Sequence, residues 1–151
     1  MIQIDELIRK LAECIVDETD LVAVKPYPYR LNARKNFLQH CKGTPSNSGF
    51  LIFDDQRKFR DGNAIRIDQD FILAVFRKDF KVGDNIDALQ LAEDVEAWLC
   101  KHCFILDDVT FAPTGDTTIR PLNLGEQYDV VSIGFTLRVC FEAEAPEIKI
   151  L

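Results

Sequence analysis

The spacing of apolar positions divides the chain into segments of helical and of strand period. Ile4, Leu7, Ile8, Leu11 and Ile15 recur at helical spacing, with Asp5 and Glu6 at the positive end of the dipole, so residues Ile4 to Glu18 are expected to form an amphipathic helix. Leu21-Val22-Ala23-Val24 reads as a short strand ended by Pro26 and Pro28. Leu31 to Cys41 has the pattern of a second, shorter helix, and Gly43 to Gly49 that of a polar loop. Phe50 to Phe53 predicts a strand, Asp54 to Asn63 a charged connection with a turn at Gly62-Asn63, and Ile65 to Arg77 a strand that is apolar on both faces over its second half.

Asp84 or Asn85 is placed to cap a further helix reaching Lys101. Its stripe is Ile86, Leu89, Ala92, Val95 and Leu99, with Leu91 and Trp98 alongside. Val109 to Ala112 and Thr117 to Ile119 suggest short strands around a turn at Pro113 to Asp116. The clearest alternation comes last: Val131, Ile133, Phe135, Leu137, Val139 and Phe141 interleave with Ser132, Gly134, Thr136, Arg138, Cys140 and Glu142. A straight strand from Tyr128 to Glu142 would span about 50 Å, whereas a domain of this length has a radius of gyration near about 15 Å. That strand is therefore expected to bend or project, leaving edge for a neighbouring subunit.

The order helix, strand, weak helix, two strands, long helix, strands predicts an α+β fold, a mostly antiparallel sheet with the two main helices packed on one face. The 151 residues suit a single domain spanning 1–151, and no repeat, low-complexity tract or linker divides them. No apolar run approaches the roughly 20 residues of a membrane helix. Residues Met1 to Glu6 do not read as a secretion signal, so a cytoplasmic protein is expected.

A net charge of -7 opposes attraction to nucleic-acid phosphates. Arg30, Arg34 and Lys35 near Tyr27 and Tyr29, and Arg57, Lys58 and Arg60, are basic patches that suit an acidic protein partner or water better than DNA or RNA. The five cysteines (Cys14, Cys41, Cys100, Cys103, Cys140) lie mostly in apolar segments and read as reduced, buried thiols.

Cys100-Lys101-His102-Cys103 is the most suggestive motif. A redox pair opens a helix, where the dipole favours thiolate; this one closes a helix. Zinc would need distant His40 or Cys41 as a further ligand, so the preferred reading is one cysteine in the core with Lys101 and His102 in water. Asp54-Asp55 and Asp107-Asp108 sit in polar connections, where solvated turn residues are commoner than catalytic pairs. With His40 and His102 the only histidines, and no nucleophile elbow or phosphate-binding glycine loop, no catalytic, cofactor-binding or metal residue is assigned. The expected protein is not an enzyme and works by fitting against other proteins.

Several segments in order carry a resemblance: Ile4-Asp5-Glu6-Leu7-Ile8, then Leu21-Val22-Ala23-Val24-Lys25-Pro26-Tyr27-Pro28, Gly49-Phe50-Leu51-Ile52-Phe53, Phe71-Ile72-Leu73-Ala74-Val75, Trp98-Leu99 and the alternating C-terminal strand. This order, over nearly the whole chain, is similar to the Mu-like bacteriophage tail terminator family. Asn32 to Ser48 and the cysteines have no counterpart in that pattern. The resemblance implies a ring, a hexamer, that caps the head-proximal end of the tail tube and offers a head-docking surface. Its partners would be further copies of itself, tail tube and sheath proteins and the head–tail connector. It implies assembly in the host cytoplasm, then a place in the virion or a tail-like particle. Two other classes stay open: a different morphogenetic component, such as a head–tail connector or baseplate protein, and a small-ligand-binding regulatory α+β module with a buried pocket.

Overall fold

In the computed structural model the described residues are 4–27, 34–78, 87–122, 128–142 and 148–150. The first helix, α1 (Ile4–Glu18), has the predicted bounds and turns Leu7, Ile8, Leu11, Ala12 and Ile15 inward. Each of these leucines and isoleucines, once buried, contributes roughly 1.5–3 kcal/mol. The next strand, β1, is Val24–Pro26, three residues later than the apolar run Leu21 to Val24 suggests. Pro26 lies inside the strand because the bonds to its neighbour use Ala23 O and Tyr27 N, which leaves the missing proline donor on the outer edge. Helix α2 is Arg34–Lys42; Leu31 to Ala33, the start of the expected helix, lie outside the described residues.

Strands β2 (Ser48–Asp61) and β3 (Ala64–Lys78) form one long hairpin. The predicted charged connection from Asp54 onward is thus strand, and only Gly62 and Asn63 turn. Gly62 has φ +60 at the first central position, as a two-residue type II′ turn requires. Helix α3 is Ala88–Lys101, capped by Asp87. The proposed caps Asp84 and Asn85, with Ile86, lie outside the described residues. Asp87 Oδ1 accepts from Gln90 N at 2.8 Å, while Asp129 Oδ2 accepts from Ala88 N at 2.9 Å. Two carboxylates therefore satisfy donors that the first turn leaves open. The buried stripe is Ala88, Leu91, Ala92, Val95 and Leu99; Leu89, expected inside, is 40% exposed.

Strands β4 (Phe104–Leu106) and β5 (Val109–Pro113) form a hairpin whose first strand the sequence reading missed. Asp107 and Asp108, at φ 49 and 64, are its two-residue turn, a place where aspartate tolerates left-handed backbone. Strands β6 (Thr118–Leu122) and β7 (Tyr128–Glu142) complete the sheet.

Among the described residues seven strands run in the order β1-β2-β3-β7-β5-β4, with β6 also paired to β7. The α+β class holds, with one change: β1 and β2 are parallel, so the sheet is mixed. Both main helices pack on one face, over Leu51, Leu73, Val75, Val131, Ile133, Phe135 and Leu137. Trp98 Nε1 donates to Glu18 Oε2 at 3.0 Å, tying α3 to α1 on that face. The short α2 lies on the opposite face, where Phe37 and Cys41 meet Tyr27, Phe50, Ile52, Ala74, Phe76 and Val130. This second, smaller core explains why the late part of β3 is apolar on both sides. No helix among the described residues is long and apolar enough to cross a membrane.

Candidate functional site

Among the described residues no helix covers the distal half of the β2–β3 hairpin or the middle of the sheet face that carries α2. A β-bulge between Phe53 and Gln56 creates the first of these. Before it Phe53 faces Phe71; after it Gln56 faces Gln69. The extra residue flips the parity of β2, so that Arg57 and Phe59 point away from the main helices while Lys58 and Arg60 point toward their side. Gln69, 2% exposed, holds the bulge: its Nε2 donates to Asp55 O at 3.0 Å, and its Oε1 accepts from Gln56 Nε2 at 3.2 Å. Asp54 and Asp55 are thus parts of a bulged strand and not of a polar connection.

Beyond the bulge a charged ladder crosses three strands. Arg57 on β2 bonds Asp70 on β3 at 2.9 Å, and Thr136 on β7 donates to the same Asp70 oxygen. Arg138 on β7 grips Asp68 with Nε at 2.8 Å and an Nη at 3.1 Å, and Arg66 Nε stands 3.7 Å from Asp68. The hydrogen bonds from Arg138 hold the Asp68 carboxyl below the usual carboxylate range against the opposing effect of burial, and the charges of Arg138, Arg66 and Arg57 add to that. The Arg66 guanidinium also lies 4.1 Å over the Phe59 ring. The basic group Arg57, Lys58 and Arg60 is therefore divided: Arg57 is engaged by Asp70 on one face, while the other two lie on the opposite face. A continuous phosphate-binding stripe does not form there. Of the other basic patch, Tyr27 is buried in the smaller core. Tyr29, Arg30 and the side chains of Arg34 and Lys35 lie outside the described residues.

Beside this ladder an open cleft of about 770 Å³ lies against the sheet, lined by Asp54, Arg57, Asp70, Asp116, Arg120 and Thr136 among others. Its floor is shallow because Ser132 and Gly134 put little side chain above β7. A Cβ at Gly134 would lie 2.5 Å from Thr118 Oγ1, so the close approach of β6 depends on glycine at that position. Among the described residues the lining mixes three carboxylates with two guanidiniums and offers no histidine or cysteine. It can hold polar or charged segments of a partner.

The helix-end motif is dispersed. Cys100 is half-buried, with Sγ 3.3 Å from Glu96 Oε1, and Cys103 is exposed, so neither thiol enters the core as expected. His102 does not simply face water: its Nδ1 is 2.7 Å from Trp98 O and its ring lies 4.8 Å from the Trp98 ring. His40 and Cys41 sit on α2, across the sheet from α3. Among the described residues no three histidine, cysteine or acidic groups are arranged to hold a metal ion. Only Cys41 is fully buried, and burial pushes its thiol up to about 12 although Lys78 pulls the other way. Cys14 is raised by burial and then by Glu18 and Asp17; Cys100 is raised by burial and then by Glu96. Cys140 is exposed at the far end of β7.

β7 keeps an edge without a strand partner past Arg138, but among the described residues the longer such edge belongs to β2. β3 flanks β7 along its whole length, and β6 and β5 take parts of its other side, up to Arg138. β2, in contrast, is covered by β1 only at Gly49, Phe50 and Leu51. Comparison of the chain with protein-family models and with curated proteins finds no match to either.

Proposed function

We propose that this chain is a structural assembly subunit, a terminator that closes the head-proximal end of a phage-type tail tube as a ring and presents a docking surface to the head. The observation that carries this reading is the order of elements along the chain, which resembles the Mu-like tail terminator family. The length of β2 without a strand partner among the described residues supports it, because a ring needs surfaces that join unlike parts of successive subunits. The net charge of -7 suits a lumen through which DNA passes without adhering. Tail tube, sheath and head–tail connector are its partners in this reading. Its task is selective binding of a tube end, with no bond chemistry.

The test is deletion of the gene in its particle, followed by imaging of the tails. Irregular, overlong tails that fail to join heads are expected; tails of normal length that join heads normally refute the reading. The open cleft favours one rival, a ligand-binding regulatory module. Such a module requires a small ligand that raises Tm in proportion to its occupancy of the cleft, and it leaves tail length untouched.

A further inference from the structure

The outer side of β2 from Ile52 to Asp61 has no strand beside it among the described residues. Its exposed backbone is a template for another strand, and its side chains restrict which strand fits. Arg57, Lys58 and Arg60 oppose pairing of this edge with the same edge of another copy, since like charges would meet. Phe59, 43% exposed between them, gives an apolar foothold. Asp54, Asp55 and Asp61 balance these cations over the edge as a whole, so an acidic strand with apolar residues is selected only along Arg57 to Arg60.

The chain itself carries such a segment. Glu142, Glu144 and Glu147 precede Ile148-Lys149-Ile150. Ile148 and Ile150 are 90% and 95% exposed, an unfavourable state for two isoleucines that share one face whenever the segment is extended. Glu142 pairs with Ala64, and Ala64 with Asp61, so the tail leaves β7 close to the tip of its own hairpin. Their exposure shows that Ile148 and Ile150 do not pack beside Phe59 of their own subunit.

We propose that residues 142–151 of one copy add as an extra strand to the outer edge of β2 in a second copy. The glutamates lie near Arg57, Lys58 and Arg60, and the isoleucines pack beside Phe59. Each copy then gives a tail and accepts one, a contact between unlike surfaces that repeats around a ring. This inference rests on the ring reading for its second copy.

The test uses full-length protein carrying Ile148→Asp and Ile150→Asp, whose own tail cannot compete, with a labelled peptide of residues 142–151 as probe. Saturable binding is expected, weakened by salt, with amide exchange slowed at least tenfold across residues 53–61. A peptide with the same two substitutions is expected to bind at least tenfold more weakly. No binding, equal binding of the substituted peptide, or protection confined to other strands overturns the proposal. Protection of residues 53–61 in unsubstituted protein that does not change on dilution also overturns it, because it assigns the tail to its own subunit. If the peptide fails to bind while deletion of the gene gives overlong tails, the tail-to-edge contact falls and the ring reading stands.

Discussion

Leu137 and Phe141 lie on the same face of β7, two full alternations apart, yet alanine should treat them very differently. Leu137 is fully buried in the main core, between Gln69 of β3 and Pro113 of β5. Phe141 is 43% exposed, past the last residue that β5 pairs. Leu137→Ala removes about three carbon atoms from the core, about 2.4 kcal/mol of transfer free energy at ~0.8 kcal/mol per group. The cavity adds to that, giving about 3–4 kcal/mol in all. Phe141→Ala removes a larger side chain from a site already open to water, so no closed cavity forms and about 1 kcal/mol is lost. Urea unfolding of dilute protein followed by circular dichroism measures both. With a slope of about 2 kcal/mol/M, the midpoints should fall by about 1.5–2 M and about 0.5 M respectively. Equal shifts, at unchanged slope, would refute the burial argument for β7.

Four further outcomes are expected. A thiol reagent at pH 8 should modify Cys103 and Cys140 quickly and Cys14 and Cys100 more slowly, while Cys41, held protonated up to about 12, reacts only as the protein unfolds; rapid modification of Cys41 in folded protein counts against the smaller core. Because folding raises the Cys41 thiol, its contribution is complete below the unfolded thiol pKa of about 8.5 and is lost as pH rises towards about 12. Gly49→Ala places a Cβ 2.9 Å from Leu73 Cδ1 and 3.3 Å from Ala74 O and should destabilise by about 1–3 kcal/mol in the same urea assay; a neutral result would mean that β2 and β3 shift apart freely. Folding lowers the Asp68 carboxyl, so its contribution is present above the unfolded value of about 3.9 and lost as pH falls through the lower folded value. The stability gap between the natural chain and Asp68→Asn should therefore shrink below about pH 4, and a gap that is constant from pH 7 to pH 2 argues against the Arg138–Asp68 grip.

Local pattern by itself determined α1, the extent of β3 and β7, the turn at Gly62-Asn63 and the α+β class, because amphipathic periodicity is written in neighbouring residues. The alternation in β7 correctly placed Val131, Ile133, Phe135, Leu137 and Val139 in the core. It could not tell that Phe141 is open, since exposure there depends on where β5 stops. The second half of β2 was hidden because its charged residues carry no apolar alternation. One signal was present: a long strand that begins directly after a two-residue turn requires a partner of similar length before that turn. The parallel pairing of β1, the α2 core on the opposite face and the parity switch at Asp54-Asp55 arise from contacts between residues far apart in the chain. The same holds for the candidate surface. Its ladder joins Arg57, Asp68, Asp70 and Arg138 from three strands, and its open edge among the described residues follows from β1 pairing β2 only at Gly49 to Leu51. Sequence supplies these charges, but only the tertiary register decides which of them neutralise one another and which edge remains free.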